Sequence, residues 1–303
     1  MKPVRIVCIL GPTGTGKTRA ALSLGQSVEV VNFDSRQVYA DFPIITAQPS
    51  SEELSCAPHH LYGFLACDQS MNAARMAELA ADAIQEIHAR GNLPVLVGGT
   101  GLYLRVLLEG IAPIPDIPEA VRRSVLERLQ REGPQALHRE VVRVDPAYAA
   151  VIHENDSQRN ARALEVWLGT GRTLSDWHAE ARPAFPLEAF KIGVRVDLDE
   201  LTPRLAARID EMLDMGALEE AREALAKCPD PKAPGWSGIG CAELLAHLRG
   251  EISLERARDI WERNTRAYAK RQLTWCRKER DLNGFEAGDF MGMAQAVGAW
   301  LKG

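Results

Sequence analysis

The sequence predicts an α/β fold: a doubly wound parallel sheet with an inserted helical domain and a helical C-terminal region. Three observations carry this. Short apolar, β-branched runs ("VRIVCIL", "VEVVNF" and "LPVLVGG") alternate with stretches of helical periodicity. The first run ends at Gly11 and opens into "GPTGTGKT", a glycine loop followed by a helical pattern. Between "IAPIPDIP" and "RPAFP" the pattern turns almost wholly helical. Strand, glycine loop, helix, strand, helix, strand implies parallel pairing with right-handed crossovers. The strand–glycine loop–helix opening makes the core P-loop NTPase-like.

Each element follows from local pattern. "KTRAALSLG" reads as a helix stopped by Gly25, and "VEVVNF" as a second strand ended by Asp34. Over residues 72–90, Met76, Leu79, Ala83 and Ile87 recur at helical spacing, with Gly91 as the stop. "LPVLVGG" is the third buried strand. The texture then changes where Pro113, Pro115 and Pro118 crowd together. "PEAVRRSVLERLQREG" places Val121, Val125 and Leu129 on one face, and "DSQRNARALEVWLGTG" does so for Leu164, Trp167 and Leu168. Residues 113–190 are therefore expected to form a helical insertion on two proline-containing hinges, with 1–112 and 191–303 as the catalytic core. "FKIGVRVDL" returns to the sheet. Helices are expected at 199–215, 217–227, 240–249, 254–280 and 289–301.

Composition bounds the class. The chain has 303 residues, 46% hydrophobic and 25% charged, which is ordinary for a globular protein. The N-terminal apolar run is too short for a signal peptide, and no stretch approaches the roughly 20 apolar residues of a membrane span. A cytoplasmic location without membrane attachment is expected. Six cysteines (Cys8, Cys56, Cys67, Cys228, Cys241 and Cys276) show no C-x-x-C spacing and read as reduced thiols. "CAPHH", with Cys56, His59 and His60, fits no common zinc spacing and reads as a loop. The net charge of −5 hides a basic stretch at 254–280, where nine Arg or Lys face four acids. That stretch is either a solvated helix face or a polyanion-binding one.

The chemistry concentrates at three loops. Gly11, Pro12, Thr13, Gly14, Thr15, Gly16, Lys17 and Thr18 satisfy G-x-x-x-x-G-K-[ST]. The glycines let backbone N–H groups converge on phosphate oxygens, and a helix N-terminus adds partial positive charge. Lys17 adds a full charge, and the Thr18 hydroxyl suits a Mg²⁺ ligand. The motif implies a di- or triphosphate without naming the compound. Asp34 stands just past the carboxyl end of a strand, the edge where open α/β sheets bind ligands. It is open to three roles: holding Mg²⁺ through water, acting as a general base, or capping the turn with Ser35. Arg36, Gln37 and Tyr39 add polar groups suited to reading a ligand. In "LVGGTGLY", Gly98, Gly99 and Gly101 permit close backbone approach and Thr100 offers a hydroxyl. The phosphate loop, Asp34 and Thr100 are expected to line one crevice.

Nine pieces, in order and nearly end to end, resemble the tRNA dimethylallyltransferase (tRNA isopentenyltransferase) family. They are "GPTGTGKT", "FDSRQVY", "ITAQP", "PHHL", "LPVLVGGTGLYL", "IHENDSQRNARALEV", "TGRTLS", "RIDEML" and "RAYAKRQLTWCR". The resemblance implies transfer of a dimethylallyl group from dimethylallyl diphosphate to N6 of the adenine 3′ of the anticodon in tRNA. Diphosphate is released; Mg²⁺ and a monomeric chain are expected. It further implies that the phosphate loop holds the donor's diphosphate and that the insertion swings onto the anticodon stem-loop. By the same resemblance Asp34 is the general base, Thr100 a channel residue near the reacting centre, and Arg208 a diphosphate ligand. The implied tRNA contacts are Asp34, Ser35, Arg36, Gln37, Thr100, Arg122, Gln158, Arg159, Asn160, Ala161 and Arg162. Two departures stand out. Cys241 and Ala242 replace an aromatic and a base usual in the family, and Gly63 stands where an acid is common. From the residues alone, a P-loop small-molecule kinase would share the same loops. A prenyltransferase for free adenine nucleotides would too, although the basic C-terminal half exceeds what that substrate needs.

Overall fold

The computed structural model describes residues 2–25 and 27–303. Among them, six strands form one parallel sheet: β1 (Val4–Leu10), β2 (Val28–Asn32), β3 (His59–His60), β4 (Leu93–Gly98), β5 (Leu187–Arg195) and β6 (Leu282–Glu286). Their spatial order is β3-β2-β4-β1-β5-β6. Alternation along β1 supplies both faces. Ile6, Cys8 and Leu10 enter one apolar cluster, and Val7 and Ile9 the other. Burial on both sides explains why these strands read as continuous apolar runs.

The first half carries α1 (Lys17–Leu22), α2 (Ser51–Cys56), α3 (Ala73–Ala89) and α4 (Gly101–Glu109). The middle is helical: α5 (Glu119–Glu132), α6 (Pro134–Val144), α7 (Pro146–Ala149), α8 (Ser157–Thr170) and α9 (Leu174–Ala179). After β5 come α10 (Leu198–Asp214), α11 (Ala217–Lys227), α12 (Cys241–Leu248), α13 (Leu254–Cys276) and α14 (Phe290–Lys302). Four elements go beyond the sequence reading: α2, β3, α4 and β6. β3 has two residues, and β6 is the polar "LNGFE", so neither shows an apolar run. α13 ends at Cys276 rather than 280, because the chain must reverse at Asp281 (φ 56°) to enter β6.

The chain divides into two compact units, Met1–Leu108 with Phe185–Gly303, and Glu109–Ala184. These bounds shift the expected insertion of 113–190 toward the N-terminus. At its end, Leu187 pairs with Val4, which draws the following residues into the sheet. At its start, Ile111 bridges Arg182 inside the second unit. That unit has its own core, with Val125 from α5, Leu137 and Val141 from α6, and Leu164 and Val166 from α8.

One buried carboxylate ties the sheet to α3. Glu29, on β2, receives a two-pronged hydrogen bond from Arg90 (3.1 and 2.7 Å) and another from Asn92 (2.6 Å). His60, on β3, adds a contact of 2.7 Å. The Arg90 hydrogen bonds, helped by Asn92 and His60, hold the Glu29 carboxyl down at about 2 against an ordinary value of 4.5. A depressed carboxylate stabilises the fold above its unfolded value, and the gain is lost as pH falls toward the folded one. The interval corresponds to about 3 kcal/mol. The advantage of the native protein over Glu29→Gln in urea unfolding should therefore shrink between pH 5 and pH 2. An advantage that stays constant with pH contradicts the assignment.

Candidate active site

Strand order brings the three loops together. β2, β4 and β1 are parallel neighbours, so the chain leaves Asn32, Gly98 and Leu10 at one edge of the sheet. After β1, Gly14 (φ 79°) and Gly16 (φ 76°) adopt left-handed conformations that favour glycine. Gly16 caps α1 without a side-chain hydrogen bond, which leaves the first-turn N–H groups for an anion. Thr15 Oγ1 and Lys17 Nζ each donate to the Pro12 carbonyl at 2.9 Å. The loop is thus folded on itself around the Lys17 ammonium. Burial pulls that ammonium down to about 8, with Asp34 pulling the other way and Arg208 adding to the fall.

Asp34 serves the turn with one oxygen. Its Oδ1 accepts from Arg36 N–H at 2.8 Å, and its own N–H donates to Asn32 Oδ1 at 2.8 Å. The turn-capping role is therefore real, and it leaves Oδ2 available. Thr100 closes the gap to the third loop, since its Oγ1 accepts from Ser35 N–H at 3.2 Å. Arg208 reaches the same place from α10, where burial lowers its guanidinium below the ordinary range. Asp34, Ser35, Arg36, Thr13 and Arg208 line a cavity of about 290 Å³. Its apolar wall includes Ile45, Leu205, Ile209, Met212, Ile239 and Trp261. Thr100, expected in the same crevice, is partly exposed beside Ser35 and Tyr268, two of the lining residues, but is not itself among them.

More of the wall comes from α13, which already supplies Trp261 and to which the sequence reading gave no site residue. Tyr268 and Arg271 line the cavity, with Tyr268 beside Thr100. Gln272 is only 3% exposed, and its Oε1 accepts from Thr13 N–H at 2.9 Å. The signal was present in "RAYAKRQLTWCR", where Tyr268, Gln272 and Trp275 share one helical face. α13 also revises the meaning of "GGTG". A methyl group on Gly99 would overlap the Gln272 amide, one on Gly101 the Trp275 indole, and one on Gly98 the Phe33 carbonyl. These glycines admit protein rather than ligand.

The other expected contact residues divide. Gln37 donates its amide to Thr46 O (3.1 Å) and Ala47 O (2.5 Å), so it braces a loop. Arg36 is held by Ser237 Oγ at 2.9 Å while still lining the cavity. On α8, Asn160 and Ala161 are buried, and Asn160 hydrogen-bonds His138, His153, Glu154 and Asp156. Both serve the core of their unit. Gln158 and Arg159 are exposed, and Arg162 pairs with Glu165 at 3.3 Å. Arg122 lies on α5 with its Nε buried and unpartnered among the described residues.

Known proteins resemble this chain in sequence and fold. A family model described as IPP transferase matches residues 37–279. The chain belongs to the IPP transferase family. A tRNA dimethylallyltransferase of Maridesulfovibrio salexigens is 52% identical over 98% of this chain and 97% of its own length. One from Oleidesulfovibrio alaskensis is 54% identical over 97% of each. Among solved structures, the tRNA isopentenylpyrophosphate transferase of Bacillus halodurans superposes with a TM-score of 0.73 at 34% identity, covering 99% of this chain and 97% of that one. A eukaryotic dimethylallyltransferase acting on tRNA gives 0.78 at 28% identity, covering 98% of this chain and 77% of that one. In this chain, Cys241 opens α12 and is buried, whereas Ala242 is exposed. Gly63 has φ 54°, a conformation in which an acidic side chain would be strained.

Lys17 gives a pH test. A bound anion favours the ammonium form, so affinity for inorganic diphosphate should be full below about 8 and fall above it. Calorimetry at pH 8 in buffers of different ionisation enthalpy should show proton uptake by the native protein. Lys17→Arg should lose that component, and equal uptake by both proteins contradicts it.

Proposed function

We propose that this chain transfers the dimethylallyl group of dimethylallyl diphosphate to N6 of the adenine 3′ of the anticodon in tRNA, releasing diphosphate. The observation that supports it is one cavity in which Asp34 and Arg208 face an apolar wall, with the phosphate loop represented by Thr13. A diphosphate needs the cationic loop, a five-carbon chain needs the apolar side chains, and the acceptor needs a base.

The N6 lone pair of adenine is delocalised into the ring, so it attacks weakly. Asp34 Oδ2 takes the proton from N6 as the new C–N bond forms, which contributes about 10²–10⁴-fold. Thr100, fixed by Ser35, orients the amine. Charge develops on the departing diphosphate, and Lys17, Arg208 and the N–H groups of α1 meet it in place. Mg²⁺ fits the loop. Thr18 offers a hard oxygen donor there, and the described residues gather no cluster of three His, Cys, Asp or Glu. The cation would be held by Thr18 and by the donor's own phosphate oxygens, and when bound it supplies further neutralisation of the leaving group.

The acceptor is unpaired RNA, where flipping a base out costs a few kcal/mol. Arg122, Gln158, Arg159 and Arg162 of the helical unit suit the anticodon stem-loop backbone, as do Ser35 and Arg36 beside the cavity. No described helix is long and apolar enough to cross a membrane, and a reaction on tRNA fits the cytoplasm.

Label should enter tRNA from labelled dimethylallyl diphosphate and not from labelled ATP. Entry from ATP would instead support phosphoryl transfer. Asp34→Asn retains the oxygen that caps the turn, so it should bind diphosphate normally yet turn over about 10²–10⁴-fold more slowly. An undiminished rate excludes Asp34 as base. Arg159→Ala combined with Arg162→Ala should weaken tRNA binding and flatten log Kd against log salt by about 0.7–0.9 for each phosphate no longer neutralised. An unaltered slope removes both from the interface.

A further inference from the structure

Gln272 holds a position that the chemistry above does not use. Its amide lies between the two loops that matter most. On one side Oε1 accepts from Thr13 N–H of the phosphate loop at 2.9 Å, joining residues 259 apart in sequence. On the other side Nε2 is pressed against Gly99, the residue before Thr100, at a place where any Cβ would overlap it. The Gly11 carbonyl closes the same gap. Nε2 has no hydrogen-bond partner among the described residues, and the side chain is 3% exposed. The amide cannot be turned over to relieve this, because its NH₂ would then meet the Thr13 N–H.

The rest of the helical face points the same way. Tyr268, one turn before Gln272, stands beside Thr100 and lines the cavity. Trp275, three residues later, packs on Gly101. Thr13 itself lines the cavity, and its N–H is taken by Gln272 rather than left for phosphate. A residue needed only to fill this space would be better apolar, since a buried amide with one unpaired half is costly.

We propose that Gln272 is a positioning residue for the transfer. By clamping Thr13 beside Gly99 it fixes the separation between the departing diphosphate and the nitrogen oriented by Thr100. It touches neither reactant. Attack requires reacting atoms about 3–3.5 Å apart and aligned, and a misplacement of about 1 Å costs about 10²-fold. The inference rests on the prenyl-transfer reading, and the experiment separates the two.

Single-turnover rates are measured for the native chain, Gln272→Met and Gln272→Glu, with diphosphate affinity and thermal melting as controls. Met fills the same volume without the hydrogen bond. It should lower the rate about 10–100-fold with diphosphate affinity and folding kept. Glu supplies the second reading. In either protonation state it keeps an oxygen that accepts from Thr13 N–H. Gln272→Glu should therefore recover most of the rate that Gln272→Met loses, measured at about pH 6 where a buried carboxyl is largely neutral. A folded Met variant with the native rate, or a folded Glu variant no faster than Met, overturns the positioning role alone. A native chain that gives no transfer overturns the underlying reading and this role with it.

Discussion

The cleft depends on two absent methyl groups. Gly99 and Gly101 have no Cβ, and only for that reason can Gln272 and Trp275 of α13 come against the turn that follows β4. That approach sets the position of a helix of 23 residues, and the helix in turn places Tyr268 and Arg271 at the cavity. α10 follows from α13. Arg258 grips Asp210 at 2.6 and 2.8 Å, and Arg266 reaches Asp199 at 3.0 Å. Leu205 of α10 packs on the phosphate loop, where a Cβ on Gly14 would stand 2.9 Å from it. The C-terminal helices are thus the wall that turns three loop ends into one cavity.

Electrostatics explains what the cavity is poised to accept. Lys17 and Arg208 are both held below their ordinary titration ranges, chiefly by burial. Arg36 and Arg271 line the same space, and Asp34 is the acid among them. Removing cations from water without a full set of counterions is unfavourable, and a multiply charged anion relieves it. A group that departs as diphosphate gains charge during the reaction, so the same cations favour the transition state over the ground state. The basic run of α13 has a mixed fate. Arg258 and Arg266 are structural ties and Arg271 faces the cavity, whereas Arg256, Arg263, Lys270 and Arg277 are exposed.

Much of the core was legible because its signals are local. β1, β2, β4 and β5 are apolar runs, the phosphate loop is a spaced motif, and Asp34 and Thr100 each follow a strand. Their convergence rests on β2, β4 and β1 being neighbours; the alternation of strands and helices implied a parallel doubly wound sheet but no order. What escaped was tertiary. β3 and β6 are edge strands with two residues and a glycine-centred polar run, too little to show periodicity. The glycines of "GGTG" announced a close approach, but not that a helix about 170 residues later makes it. Tyr268 and Gln272 read as ordinary helix residues until α13 is placed. In "QRNAR" the sequence could not divide exposed Arg159 from buried Asn160, because that depends on which face of α8 meets His138 and the 153–156 turn. The loop "GPTGTGKT" alone indicated only a polyphosphate. The apolar wall contributed by Ile45, α10, the approach to α12 and α13 is what the proposed prenyl chain would pack against.

The central claim is that the phosphate loop grips a leaving group, so that the bond broken joins carbon to oxygen. Dimethylallyl diphosphate carrying ¹⁸O in the bridging position tests this directly. After turnover on tRNA, mass spectrometry of the released diphosphate should find the bridging label retained in it in full. Label missing from the diphosphate and recovered on a five-carbon product would mean cleavage between phosphorus and oxygen, and would contradict the account.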